Sequence, residues 1–77
     1  MSELSLTFGQ KAVGLTFNPG GSDNVAEAKK LYAMVIDMLD GLRNTSTNPE
    51  VKRMCSVAIT EAQTSQMWAV KAITWQY

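Results

Sequence analysis

Apolar positions change their period along the chain. Leu4, Leu6 and Phe8 alternate with polar neighbours, Gly9 interrupts, and Val13, Leu15 and Phe17 alternate again before Asn18-Pro19-Gly20-Gly21. A period of two predicts short extended pieces, although Gln10-Lys11-Ala12-Val13 is equally able to form a helical turn. The tripeptide Leu-Thr-Phe occurs twice, at Leu6 and at Leu15. Residues 1–21 therefore read as an N-terminal arm, short helix or extended, that ends in a loop at Pro19-Gly20-Gly21.

From Asp23 the spacing lengthens. Ala28, Leu31, Tyr32, Val35, Met38, Leu39 and Leu42 recur at intervals of three and four, the pattern of one buried stripe on a helix. Ser22, Asp23 or Asn24 can cap the start, Asn24 and Glu27 have the spacing of a capping box, and Asn44 with Thr45 to Thr47 gives a polar exit. The first long helix is thus expected over about 23–43. Asn48-Pro49-Glu50 opens a second: Asn accepts from orphan amides, Pro suits the first helical position, and Glu suits the positive end. No breaker follows, so this helix is expected over about 49–75, roughly 40 Å long. Its row Val51, Cys55, Ala58, Ala62, Ser65, Ala69 and Ala72 is small, which lets the large stripe of the first helix approach closely.

Two helices joined by a few polar residues make an antiparallel hairpin, so the expected architecture is one all-α domain over residues 1–77. A hairpin has a single internal seam. Further apolar rows remain, with Val25, Met34 and Ile36 on the first helix and Ile59, Val70, Ile73 and Tyr77 on the second. Covers for them must come from the arm and from other copies of the chain, which predicts a homo-oligomer.

Composition strengthens that expectation. A lone core in a chain of 77 residues leaves about 3–5 kcal/mol of net stability, so small domains add disulfides, metals or partner subunits. With one Cys and no His, neither an intrachain disulfide nor a zinc cluster can form. Lys and Arg balance Asp and Glu at seven each, which weakens the counterion-release drive toward DNA or RNA polymers. No stretch of about 18 apolar residues is present, and the N-terminus lacks the basic start and greasy middle of a secretion signal. A membrane partner is not expected, and an intracellular, reducing compartment is.

Catalytic chemistry finds little to use. Without His the usual base near neutral pH is missing. Cys55 falls in the small row, where a packed thiol is the simpler reading than a nucleophile. Asp37 and Asp40 are three apart, a solvated face rather than a metal site without a third ligand. The expectation is a protein with no catalytic residues, no metal and no cofactor. Binding is better supplied. The loop Phe17-Asn18-Pro19-Gly20-Gly21-Ser22 runs into a helix start, where free amides favour an anion; the plain alternative is a turn and a cap. The row Val57, Glu61, Thr64, Trp68, Lys71 and Trp75 sets two indoles around a cation. Such a row can stack bases at about 1–3 kcal/mol each, or can equally be an oligomer contact. Lys29-Lys30 and Lys52-Arg53 are adjacent basic pairs just inside the helix starts, solvated by default.

Three segments, Gly14-Leu15-Thr16-Phe17-Asn18-Pro19-Gly20-Gly21, Asn48-Pro49-Glu50 and Trp68-Ala69-Val70-Lys71-Ala72-Ile73-Thr74-Trp75, carry a resemblance. Over Val13 to Trp75 the chain resembles the phage anti-CBASS cyclic-oligonucleotide sponges, a helical-hairpin domain shared with anti-Thoeris sponges. The resemblance implies a homo-oligomer, typically a hexamer, in the cytoplasm of an infected bacterium. It would sequester cyclic dinucleotides, and in some members cyclic trinucleotides, without hydrolysing them, and some relatives capture cyclic ADP-ribose isomers instead. It also implies ligand contacts from Phe17, Asn18 and Pro19, a phosphate contact from Lys29 or Lys30, and closure by Lys71, Thr74 and Trp75 from another chain. Arg53 is the implied candidate for a second, trinucleotide site. A structural or adaptor oligomer without a small-molecule ligand is the competing expectation.

Overall fold

A computed structural model describes residues 5–77. It contains three helices, α1 (Phe8–Ala12), α2 (Asp23–Thr45) and α3 (Pro49–Ile73), and no strand among the described residues. The all-α hairpin expected from the spacing is present. Leu4, the first residue of the alternating arm, lies outside the described residues.

Of the two readings open for the arm, extended or short helix, the helical one holds, with Gln10-Lys11-Ala12 inside α1 and Val13 as its C-cap. Thr7 caps α1 through its Oγ1, which accepts from the Gln10 amide, while Gln10 Oε1 accepts from the Thr7 amide at 2.9 Å. This Thr-x-x-Gln capping box satisfies two amides that would otherwise be orphans, and it overrides a three-residue alternation. The second alternating piece is a turn. Gly14 takes φ +64°, its amide donates to the Lys11 carbonyl, and the Leu15 amide donates to the Gln10 carbonyl. These are the two bonds of a Schellman termination, which needs a left-handed residue that Gly provides without strain.

Ser22 is the cap chosen for α2, its Oγ accepting from the Val25 amide at 3.2 Å. The Asn24–Glu27 spacing is not used as a cap. The helix runs through Thr45, two residues past the expected end, because Thr45 Oγ1 donates back to the Gly41 carbonyl and Lys52 Nζ donates to the Arg43 carbonyl at 2.8 Å. Asn48 caps α3 as expected, accepting from the Glu50 amide at 2.9 Å with Pro49 in the first turn. At its other end α3 stops at Ile73, and Trp75 lies beyond the C-cap Thr74 rather than in the helix.

Packing corrects the expected seam. Val25, Lys29, Ala33 and Ile36 are the buried positions of α2, whereas Leu31, Val35, Met38 and Leu42 of the expected stripe are about half exposed or more. The arm explains the rotation. Gly9 sits so close to α2 that a Cβ there would lie 2.3 Å from the Ala33 carbonyl oxygen. The small Ala33 and Gly9 thereby draw the arm onto the Ala33 row, and Val13 joins Ala33, Ile36 and Ile59 in the core, with Leu15, Tyr32, Leu39 and Ala62 packed around it. On α3 the small row holds only in part: Cys55 is buried and Ala62 packs on the core, but Ser65, which shares a 2.6 Å hydrogen bond with Tyr32 of α2, and Ala72 are exposed, and Ile59 and Gln66 from outside the row are buried instead.

The result is a slab of 45 × 31 × 12 Å with a radius of gyration of 13.7 Å, against about 11.5 Å for a compact chain of this length. Little depth is available for a core, and among the described residues Ile36 is the one large side chain that is fully buried.

Candidate functional site

The loop between α1 and α2 is shaped by one lysine. Lys29, in the second turn of α2, is 5% exposed, and its ammonium donates to the Gly14 carbonyl at 3.0 Å and to the Phe17 carbonyl. The same ammonium lies 5.4 Å from the centroid of the Phe17 ring. A buried cation is tolerated only where acceptors replace water, and two carbonyls plus an aromatic face do so here. The loop closes on itself at its far side, where Asn18 Nδ2 donates to the Ser22 carbonyl at 2.9 Å and Gly21 takes φ +66°.

Between this loop and the end of α3 lies a cavity of about 210 Å³ lined by Phe17, Asn18, Pro19, Gly20, Ser22, Val25, Lys29, Val70 and Thr74. Its walls are mostly apolar, with the Lys29 ammonium and the Thr74 region as polar points. Four of the sequence-derived candidates meet Thr74 here, namely Phe17, Asn18, Pro19 and Lys29. Thr74 reaches the cavity from the same chain. Gly20 and Ser22 belong to the loop singled out from the sequence, whereas Val25 and Val70 were not named as lining residues. Val70 lies four residues before Thr74, so its place was readable once the closing end of α3 was set against the loop.

Other candidates lie elsewhere. Lys30 points to a separate cleft of about 410 Å³ lined by Gln10, Leu15, Ala26, Ala33, Met34 and Asp37. Lys71 sits between the Trp68 and Trp75 rings, 5.0 and 5.9 Å from their centroids, on an exposed patch that excludes Phe17. Trp75 also packs edge-on against Tyr77 at 5.2 Å. Arg53 pairs with Glu50 at 2.5 Å on the far half of the hairpin; this contact lowers the Glu50 pKa and raises that of Arg53.

Asp37 and Asp40 are not a free acidic face. Asp37 accepts from the Gly9 amide and from Thr7 Oγ1, both at 2.7 Å, which fixes the start of α1 against α2. Asp40 pairs with Arg43 at 2.8 Å, and Arg43 also donates to Ser56 and lies over the Phe8 ring. Cys55 is a buried free thiol. Among the described residues no group of three or more His, Cys, Asp or Glu is placed to hold a metal, and no helix is long and apolar enough to cross a membrane.

The fold and the cavity together define a helical hairpin whose pinned loop faces the closing end of its last helix. The Acb2/Tad1 hairpin domain matches residues 10–74, from within α1 to the cap of α3. The chain belongs to this family, that of the phage anti-CBASS and anti-Thoeris sponges. The family is known for sequestering cyclic nucleotide signals and is not a recognised enzyme family. No curated protein and no solved structure matches the chain.

Proposed function

We propose that this protein is a phage anti-defence sponge that binds cyclic dinucleotide immune signals, and cyclic trinucleotides as a second class, in the cytoplasm of the infected bacterium and holds them uncleaved. Membership of the sponge family is the observation that carries the reading. The cavity of Phe17, Asn18, Pro19, Lys29 and Thr74 is its site. The exposed Phe17 ring offers a face for a base, and Asn18 and Thr74 offer polar atoms to its edge. Lys29 has three N–H groups, two of them directed to carbonyls, which leaves one for a phosphate oxygen.

At about 210 Å³ the cavity is smaller than the 300–1,000 Å³ typical of small-molecule sites. One chain can grip part of a two-nucleotide ring. The remainder is enclosed by a neighbouring copy in a homo-oligomer, for which a hexamer is the expected size. Lys30, Lys71, Trp75 and Arg53 lie off this cavity, so any contact they make to its ligand comes from another copy.

Calorimetric titration with a panel of cyclic di- and trinucleotides and cyclic ADP-ribose tests the reading. Tight binding of a cyclic dinucleotide is expected, with intact nucleotide released by heat denaturation. Phe17→Ala is expected to weaken it at least about fivefold, since a stacked base is worth about 1–3 kcal/mol. Heat only from cyclic ADP-ribose moves the ligand class, recovery of linear product makes the protein an enzyme, and no binding across the panel leaves the structural oligomer.

A further inference from the structure

The outward row of α3 carries more than its two indoles. Met54, Val57, Glu61, Thr64, Trp68, Lys71 and Trp75 follow one another at alternating intervals of three and four, the seam of a left-handed helix pair. Met54, Val57, Trp68 and Trp75 are 48% to 65% exposed, while the opposite side of α3, with Cys55, Ile59 and Gln66, is buried in the chain's own fold. Although Trp75 is past the helix end, its ring meets Lys71 together with that of Trp68, which keeps all three on one side.

We propose that this seam pairs with the same seam on a second copy of the chain, antiparallel, about a two-fold axis near residue 66. In that register, positions equidistant from the axis face each other. Thr64 meets the second copy's Trp68 position, small against large. Glu61 meets Lys71, and Val57 meets Trp75. Symmetry makes each contact twice.

Charge selects this orientation. A parallel pair would put Glu61 against Glu61 and Lys71 against Lys71, whereas the antiparallel pair converts both into opposite-charge contacts and so fixes register as well as direction. The two residues cannot satisfy each other within one chain, being ten positions and about 15 Å apart along the helix. Neither takes part in the ion pairs found among the described residues. The helical part of the seam, Met54 to Lys71, spans about 26 Å and leaves the Phe17 cavity clear, because Val70 and Thr74 reach that cavity from a different side of the helix.

The test is zero-length carbodiimide cross-linking of an equal mixture of light and heavy-isotope protein without nucleotide, followed by peptide mass spectrometry. An amide joining Glu61 of a light chain to Lys71 of a heavy one is expected. Its absence overturns the proposal. In sedimentation, Glu61→Lys is expected to reduce the assembly mass at least twofold with helix content unchanged, and Glu61→Lys with Lys71→Glu to restore it. A single reversal that keeps the parent mass, or a double one that fails to recover it, also overturns the proposal. Titrating nucleotide into the same samples reads the ligand separately, so failure of the pairing and failure of the sponge reading give different results.

Discussion

At the arm end of the hairpin, charged side chains are tied to backbone. Lys29 holds the Gly14 and Phe17 carbonyls, and Asp37 holds the Gly9 amide and the Thr7 hydroxyl. On the outer face of α3, Lys71 lies against the Trp68 and Trp75 rings, and neither it nor Glu61 is in an ion pair among the described residues. The difference lies in what each element can do alone. A loop and a five-residue helix have too few internal hydrogen bonds to hold a shape, so they borrow donors and acceptors from α2. A helix of 25 residues satisfies its own backbone and leaves its outer side chains available to another molecule.

Adjacent lysines give the sharpest way to break this contrast. Lys29→Met keeps the apolar stem but removes two hydrogen bonds from a charged donor, each worth about 1.5–3 kcal/mol. A loss of about 3 kcal/mol or more is expected in urea unfolding, most of the net stability of so small a domain. Lys30→Met, on the exposed side of the same turn, is expected to change stability by less than about 0.5 kcal/mol. Equal effects from the two would mean that the loop is not held by Lys29.

The next effect is confined to α1. Asp37→Asn replaces a charged acceptor by a neutral one at two 2.7 Å contacts, with an expected cost of about 1–2 kcal/mol. Gly9→Ala attacks the same joint sterically, since the new Cβ would sit 2.3 Å from the backbone oxygen of Ala33. In both variants hydrogen exchange is expected to quicken at the α1 amides while the α2–α3 seam keeps its protection. Uniform loosening of all three helices would show that the arm is not a separable unit.

These anchors mark where the sequence stopped being legible. The hairpin itself was readable, because Asn48-Pro49 and the long three-and-four spacing of α2 and α3 are local signals. Its rotation was not. Leu31, Val35 and Met38 look more like a core than Val25, Ala33 and Ile36 until Gly9 is known to press on Ala33, a contact between residues 24 apart in sequence. For the same reason Lys29 and Lys30 looked interchangeable, and Asp37 looked like a solvated acid. The loop residues Phe17, Asn18 and Pro19 could be singled out from their own chemistry and from the family pattern. Thr74 could not be assigned to their own chain without knowing where α3 ends relative to the loop.

A smaller effect belongs to the outer face. If copies meet through it, the thermal midpoint rises with protein concentration, as it does whenever folding is coupled to association. Trp68 is 65% exposed in the single chain, so Trp68→Ala is expected to leave the midpoint of dilute protein nearly unchanged and to flatten its concentration dependence. A steep dependence that survives Trp68→Ala would place the contact on the Leu31, Val35 and Met38 side instead.

The smallest effect lies at the start of α3. Arg53 beside Glu50 holds the Glu50 carboxyl below its ordinary value. In the carboxylate range the unfolded chain therefore binds more protons than the folded one, and the pair's contribution grows as pH rises. That contribution is complete above the unfolded carboxyl value and disappears as pH falls through the folded one. The accompanying rise in Arg53 acts only at strongly alkaline pH, where the contribution would be lost as Arg53 deprotonates. Both side chains are more than half exposed, at 63% and 59%, so water and salt screen the pair. Comparison of Glu50→Gln with the parent by urea midpoint is expected to show a slight deficit at neutral pH that vanishes in acid and in molar salt. A deficit that persists under both conditions would mean that the Glu50 stem packs on the first turn of α3, making this end of the hairpin an anchored region like the arm.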